Sequence, residues 1–243
     1  MLNISLWLLL MITDFLLIIG IYRIWGKTGL YVWAGFAIII ANIQVLKTIQ
    51  LFGLVSTLGN IIYGTTFLIT DILSEIYGKK ESRKAVWIGF YTMVSMTILM
   101  QISLLFIPDK SDFAQESLKT IFGIMPRIMV ASLTAYLVSQ NHDIWAFHFW
   151  KNSTANKYLW LRNNASTMVS QAIDTIIFCS IAFMGLFPWD TFFQIAITTY
   201  IFKWIVAASD TPFVYWARRL HSKGRVETKI KIPFFDIENS KKA

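Results

Sequence analysis

Long apolar runs without charge constrain this sequence more than any other feature. Residues 85–108, for example, contain no Asp, Glu, Lys or Arg. A helix needs roughly 20 mostly apolar residues to cross the hydrocarbon core of a bilayer. Seven stretches meet that requirement: 4–22, 30–53, 58–77, 85–107, 120–140, 164–187 and 190–216. With a mean hydropathy of +0.55 over 243 residues, the sequence predicts an all-α polytopic membrane bundle of about seven transmembrane helices.

The lysines and arginines are distributed unevenly between the two ends of these helices. Counted over alternate connections, seventeen of the 22 fall on the side that carries the C-terminus, and Lys110 and Lys119 fall on the other. Cytoplasmic connections carry such an excess, so we expect the N-terminus outside and the C-terminus in the cytosol. The net charge of +8 then faces anionic membrane lipid, and a nucleic-acid partner is not expected.

The connections between the apolar runs are short, which indicates one transmembrane transport domain, residues 1–217, followed by a basic cytosolic tail, residues 218–243. No Lys or Arg precedes Arg23, so we expect a retained first helix rather than a signal peptide. Cys179 is the single cysteine, and His142 and His148 have no third ligand nearby in the sequence. No metal site is therefore expected.

Polar residues inside spans are costly in lipid and so usually face a protein interior or a water-filled cavity. In the second span these are Asn42, Gln44 and Lys47. In the third span, Asp71 and Glu75 are separated by one helical turn and project from one face. Asp71 is expected to be functional. Glu75 is either functional too or an interfacial carboxylate neutralised by nearby lysines.

The sixth span begins with a polar stripe. At 100° per residue, Ser170, Gln171 and Asp174 lie on the same side of the helix as Asn163, which is followed by Asn164. Small hydroxyl residues such as Ser170 also act as contacts between helices. An Asp near the middle of the membrane is a stronger indication of function. Two cations inside spans, Arg127 and Lys203, are either counter-ions for Asp71 or Asp174 or extend to the interface.

Three segments carry a resemblance to a known family: "NIQVLKTIQLFG" (42–53), "GNIIYGTTFLITDILSEIYGKKESRKAV" (59–86) and "WLRNNASTMVSQAIDTIIFCSIAFMG" (160–185). They resemble the queuosine precursor transporters, vitamin-uptake-like membrane proteins of bacteria. The resemblance covers roughly residues 35–215 and leaves the first helix as an addition to a six-helix core. It implies a bacterial cytoplasmic-membrane importer of 7-cyano-7-deazaguanine, 7-aminomethyl-7-deazaguanine and, in some members, queuine, for the modification of tRNA with queuosine.

That substrate, a small heterocyclic base, has a ring N–H beside an exocyclic amine, and a carbonyl. One carboxylate can accept both donors, and Asp71 or Asp174 is expected to supply it. The carbonyl needs a donor, for which Asn163, Asn164, Gln171 and Lys47 are candidates. Tyr63 and Phe67, one turn apart, are candidates for stacking on the flat ring. Glu75, Ser170, Asn42 and Gln44 complete the predicted set of substrate-binding residues.

No enzyme signature accompanies these residues. The sequence has no ATP-binding G-x-x-x-x-G-K-[ST] loop, no H-E-x-x-H and no G-x-S-x-G. We therefore expect a transporter without a cofactor and not an enzyme. Three alternatives stay open: the substrate-binding subunit of an energy-coupling-factor importer, an intramembrane enzyme, and a purely structural protein. The mode of transport is open as well, either facilitated diffusion or coupling to a proton carried by Glu75 or Asp174, and the oligomeric state is not predicted.

Overall fold

The computed structural model describes residues 2–153 and 159–226, with side chains at all of these except 79, 140, 141, 143–153, 159–167, 207 and 208. Within this part the chain is a bundle of helices with one short hairpin. The helices are α1 (Leu2–Gln44), α2 (Asn60–Tyr77), α3 (Lys79–Leu104), α4 (Gln115–Phe122), α5 (Met125–Ser153), α6 (Leu159–Phe183) and α7 (Trp189–Ser222). The strands are β1 (Thr48–Leu51) and β2 (Leu54–Thr57).

Helix α1 contains the first two predicted spans, divided by non-helical backbone at Gly26. The chain reverses there and brings Gly29 close to Ile21. A Cβ at Gly29 would lie 2.6 Å from the carbonyl oxygen of Ile21. The two segments run side by side: near the start of the first segment, the Asn3 side chain donates to the carbonyl of Gln50, 3.0 Å away, just beyond the end of the second. Gly26 thus makes a helical hairpin from the first two predicted spans.

The second span was expected to continue as helix to residue 53, which is wrong. Helix α1 ends at Gln44, and an antiparallel β-hairpin follows. Its two-residue turn, Phe52 and Gly53, has positive φ at both positions, as a type I′ turn requires. The β-branched residues in the hairpin favour strands. An apolar run alone does not distinguish a helix from such a hairpin.

The apolar core lies mainly between α1, α2 and α7. Phe15, Ile18 and Tyr22 of α1 are fully buried against residues such as Leu68 and Ile72 of α2. A second cluster joins α5, α6 and α7. Many large apolar side chains stay exposed on the outside of the helices, including Leu8, Leu9, Leu16, Trp87, Leu99, Val130 and Ile176.

Such a surface is suited to lipid rather than to water. Among the described residues, four helices are long and apolar enough to cross a membrane: Leu2–Gln44, Lys80–Leu104, Gln115–Ser139 and Trp189–Ser222. A shorter apolar helix spans Met168–Phe183. The chain is therefore an all-α membrane bundle. The end predicted for the transport domain, residue 217, falls inside α7.

The reversal at Gly26 gives a direct test of the fold. Gly26 has φ 55° and ψ −136°, a backbone region that is almost restricted to glycine, so Gly26→Ala should cost about 1–3 kcal/mol. We expect a lower melting temperature in detergent. The matched control is Gly20→Ala in the same helix, where a Cβ would meet no atom within 4 Å. Equal melting temperatures for the two variants would contradict the reversal.

Candidate functional site

The main cavity of the bundle has a volume of about 430 Å³ and lies among α1, α2, α3, α5 and α6. This size is within the range of small-molecule sites. Its wall combines apolar, aromatic and polar side chains: Ala34, Ile38, Tyr63, Thr66, Phe67, Thr70, Ser74, Ser82, Arg83, Ala85, Val86, Phe90, Tyr136, Ser139, Gln171 and Asp174, with Gly89. A cavity of this composition can hold a flat, polar molecule away from lipid.

Two pairs of aromatic rings form part of this wall. Tyr63 and Phe67 lie one turn apart on α2, with their ring centroids 6.0 Å apart. Phe90 of α3 and Tyr136 of α5 meet edge to face, with centroids 4.6 Å apart. Aromatic faces provide sequence-independent stacking surfaces for a heterocycle. The two pairs therefore make the cavity suitable for a planar ring.

A buried ion pair forms the polar end of the cavity. The Nζ atom of Lys203 in α7 lies 2.6 Å from Oδ2 of Asp174 in α6, and both residues are buried. The ammonium group also lies 4.9 Å from the centre of the Tyr63 ring. The other carboxylate oxygen, Oδ1, accepts a long hydrogen bond from Ser139, at 3.4 Å. Asp174 is thus neutralised but retains acceptor capacity toward the cavity.

Gln171 lies one helical turn before Asp174 on the same face of α6 and also lines the cavity. Its Oε1 atom is buried and has no hydrogen-bond partner within residues 2–153 and 159–226. A buried acceptor without a partner costs about 1–3 kcal/mol. A ligand with an N–H group would supply the missing partner.

The cavity is closed at the end of the ion pair. A void of about 30 Å³ behind Lys203 and Asp174 is lined by residues including Asn42 and Asn60. Beyond it, the hairpin is held to α7: the Val55 N–H donates to Gln194 at 2.9 Å, and Thr198 donates to the Val55 carbonyl at 3.1 Å. At the opposite end, the cavity reaches Ser82 and Arg83 at the start of α3.

Asp71 and Glu75 do not line the main cavity. They lie in a second cavity, of about 390 Å³, between α2 and α7, together with Ser74, Asp210, Thr211, Val214, Tyr215 and Arg218. Glu75 forms a salt bridge of 3.1 Å with Arg218 rather than with the lysines after α2. Ser74 is common to the walls of both cavities.

The other predicted residues are distributed around these cavities. Asn42 borders the small void. Ser170 bonds with His142 of α5 at 3.1 Å, which fits a contact between helices. Gln44 is the last residue of α1 and Lys47 is exposed beside the hairpin, and neither lines a described cavity. The side chains of Asn163 and Asn164 lie outside the described residues.

Several residues of the site have weak signals in the sequence. Phe90, Tyr136 and Ser139 are ordinary members of apolar helices, and their positions depend on how α3 and α5 pack. Of the two roles left open for Arg127, that of a counter-ion does not hold: its guanidinium donates to the carbonyls of Ile181 and Met184, at 2.6 and 2.5 Å, at the end of α6. Such free carbonyls at a helix end favour a cation.

The apolar outer surface and the cavity between the helices are those of a polytopic membrane transporter. Comparison with known proteins specifies the family. Residues 57–217 match the family model described as "putative vitamin uptake transporter", and the chain belongs to that family. No solved structure matches it.

Named relatives cover most of the chain. A protein of Bacillus subtilis (strain 168), "Probable queuosine precursor transporter", is 45% identical over 221 residues, or 90% of this chain and 96% of that protein. The "Queuosine precursor transporter" of Escherichia coli (strain K12) is 26% identical over 172 residues, or 69% and 74% of the two chains. A Haemophilus influenzae protein, also named "Probable queuosine precursor transporter", is 29% identical over 151 residues, or 61% and 62% of the two chains.

The buried ion pair can be tested by thermal unfolding in detergent. Lys203→Met leaves Asp174 buried without its cation, so the variant should lose about 3–5 kcal/mol of stability. Adding Asp174→Asn should restore much of this loss, because no unpaired charge remains.

The control for this test is Arg218→Gln, which breaks the pair with Glu75. Those two side chains are 64% and 47% exposed, so this loss should be at most about 1 kcal/mol. If Lys203→Met and Arg218→Gln lower the melting temperature equally, the ion pair is not a buried one.

Proposed function

We propose that this chain imports queuosine precursors, 7-deazaguanine bases, across the cytoplasmic membrane of a bacterium for the modification of tRNA. Two of its relatives are named probable queuosine precursor transporters, and a third carries that name without qualification. The observation that carries the proposal is the pairing of Gln171 and Asp174 on one face of α6 inside an aromatic-walled cavity. This combination of groups matches the flat ring and the hydrogen-bonding edge of a deazaguanine.

The hydrogen-bonding edge of the base suits these two side chains. A deazaguanine presents a carbonyl, a ring N–H and an exocyclic amine in a row. The Gln171 amide offers its unpaired Oε1 to an N–H and its amino group to the carbonyl. The Asp174 carboxylate accepts from the amine. Analogues without these donors leave buried acceptors unpaired and are rejected.

Lys203 suits a substrate whose hydrogen-bonding edge is neutral. An isolated carboxylate inside a membrane attracts a cation, and its burial is costly. Lys203 offsets that charge at 2.6 Å, so Asp174 acts as a hydrogen-bond acceptor within a neutral site. The aromatic rings in the cavity wall favour a planar ring.

The proposed orientation in the membrane follows from the uneven distribution of Lys and Arg between the two ends of the helices. We place the N-terminus and the β-hairpin outside and the C-terminus in the cytosol, with about seven crossings if α1 counts as two. The transport domain then comprises residues 1–217, and the basic tail 218–243 is cytosolic. The cavity end at Arg83 faces the cytosol, and the end closed by the hairpin faces outward.

Reporter fusions test this orientation. Green fluorescent protein attached after Ala243 should fluoresce, because it matures in the cytosol, whereas alkaline phosphatase at the same place should be inactive. The reverse pattern would contradict the charge-based orientation.

Complementation tests the function. A bacterium that neither makes nor imports deazaguanines should regain queuosine in its tRNA when this chain is expressed alone and one precursor base is fed. Failure in spite of confirmed membrane insertion would favour an importer subunit that depends on separate ATPase partners.

The same assay tests the site. Gln171→Ala should raise the base concentration needed for recovery roughly ten- to thirtyfold, because the amide offers two hydrogen bonds of about 1 kcal/mol each. The matched control is Gln50→Ala, at an exposed position of strand β1, which should behave as wild type. Equal recovery by both variants would exclude Gln171 from the site.

A further inference from the structure

A second polar site exists in the bundle that substrate binding does not require. It is the cavity between α2 and α7 that contains Asp71 and Asp210. Asp210 is 4% exposed, although its carboxylate belongs to the wall of this cavity. Asp71, at an exposed position of α2, lines the same cavity, which brings the two carboxylates into one space. Two carboxylates that share a site repel each other and favour the binding of one proton between them.

Within the described part of the chain, no Lys, Arg or His forms a salt bridge with Asp210. Arg218, the cation of this cavity, is paired with Glu75. A buried carboxylate is expensive unless it is paired or protonated. A proton taken up from outside the protein would compensate this carboxylate.

Other titratable groups lie around this cavity. Tyr215 is part of its wall. From α1, Asp14 is buried in a hydrogen bond with Thr65, and from α3, Arg83 lines the main cavity. A metal ion needs several oxygen ligands, and no group of three His, Cys, Asp or Glu suitable for one occurs in the described part of the chain. These contacts favour a proton over a metal ion.

The second cavity is connected mechanically to the first through α2. Ser74 contributes to both walls, so a shift of α2 changes both cavities. On the other side, Pro212 lies inside α7, two residues after Asp210. A proline removes a helical hydrogen bond and allows the helix to bend there. Protonation that relieves the repulsion between α2 and α7 can thus alter the main cavity.

We propose that Asp71 and Asp210 bind one proton between them and that this proton is carried with the substrate, so that the chain is a proton-coupled importer. The proton is held by one carboxylate of the pair, and no other bond changes. This proposal rests on the proposed function, because it assigns a driving ion to the same transport.

Transport in proteoliposomes tests the proposal, with labelled 7-cyano-7-deazaguanine, a largely neutral base, as the probe. With one proton per base, an external pH one unit lower than the internal pH should accumulate the base roughly tenfold. A protonophore should abolish that accumulation. Asp210→Asn and Asp71→Asn should each lose it while still exchanging labelled for unlabelled base at equilibrium, which also shows that the variants are folded.

The control variant is Asp190→Asn, at an exposed position in the first turn of α7, which should accumulate the base as wild type does. Accumulation driven by a sodium gradient instead, or accumulation that persists in Asp210→Asn, would overturn the proposal. Exchange without any gradient-driven accumulation in the wild type would also overturn it. Absence of exchange in the wild type would instead refute the proposed function.

Discussion

The ion pair between Asp174 and Lys203 is the interaction on which the rest of the site depends. Each residue alone would place an uncompensated charge inside the membrane, which is among the most costly arrangements available to a helix there. Together they join α6 to α7. Tyr63 of α2 lies over the ammonium group and Ser139 of α5 contacts the carboxylate. One pair of charges therefore fixes four helices around the closed end of the cavity.

The hairpin covers the end of the cavity near the ion pair, and the reversal at Gly26 brings the hairpin to that end. The N-terminal helical segment turns back at Gly26, and the chain then reaches the hairpin near its own beginning. The strands pair with each other, and the backbone of Val55 is bonded to the side chains of Gln194 and Thr198 in α7. Backbone that is neither helical nor paired would be costly wherever it met lipid.

The helices and part of the site could be predicted from sequence, because both depend on local patterns. Apolar runs of membrane length located the spans, and the stripe on α6 identified Gln171 and Asp174 as neighbours on one face. Tyr63 and Phe67 also line the main cavity. The hairpin was missed because an apolar run has the same composition in either structure. The sequence did not identify the partner of Lys203, because that partner depends on which helices are adjacent.

The positions of Asp71 and Glu75 show the limit of such reasoning most clearly. Their spacing places them on one face of α2, but spacing does not say which neighbour that face meets. Thr70 and Ser74 border the main cavity, whereas Asp71 and Glu75 border the cavity against α7. A rotation of 100° between successive residues is enough to separate the two environments. α2 thus has polar groups on two sides, and this is possible in a membrane because a cavity lies on each side of it.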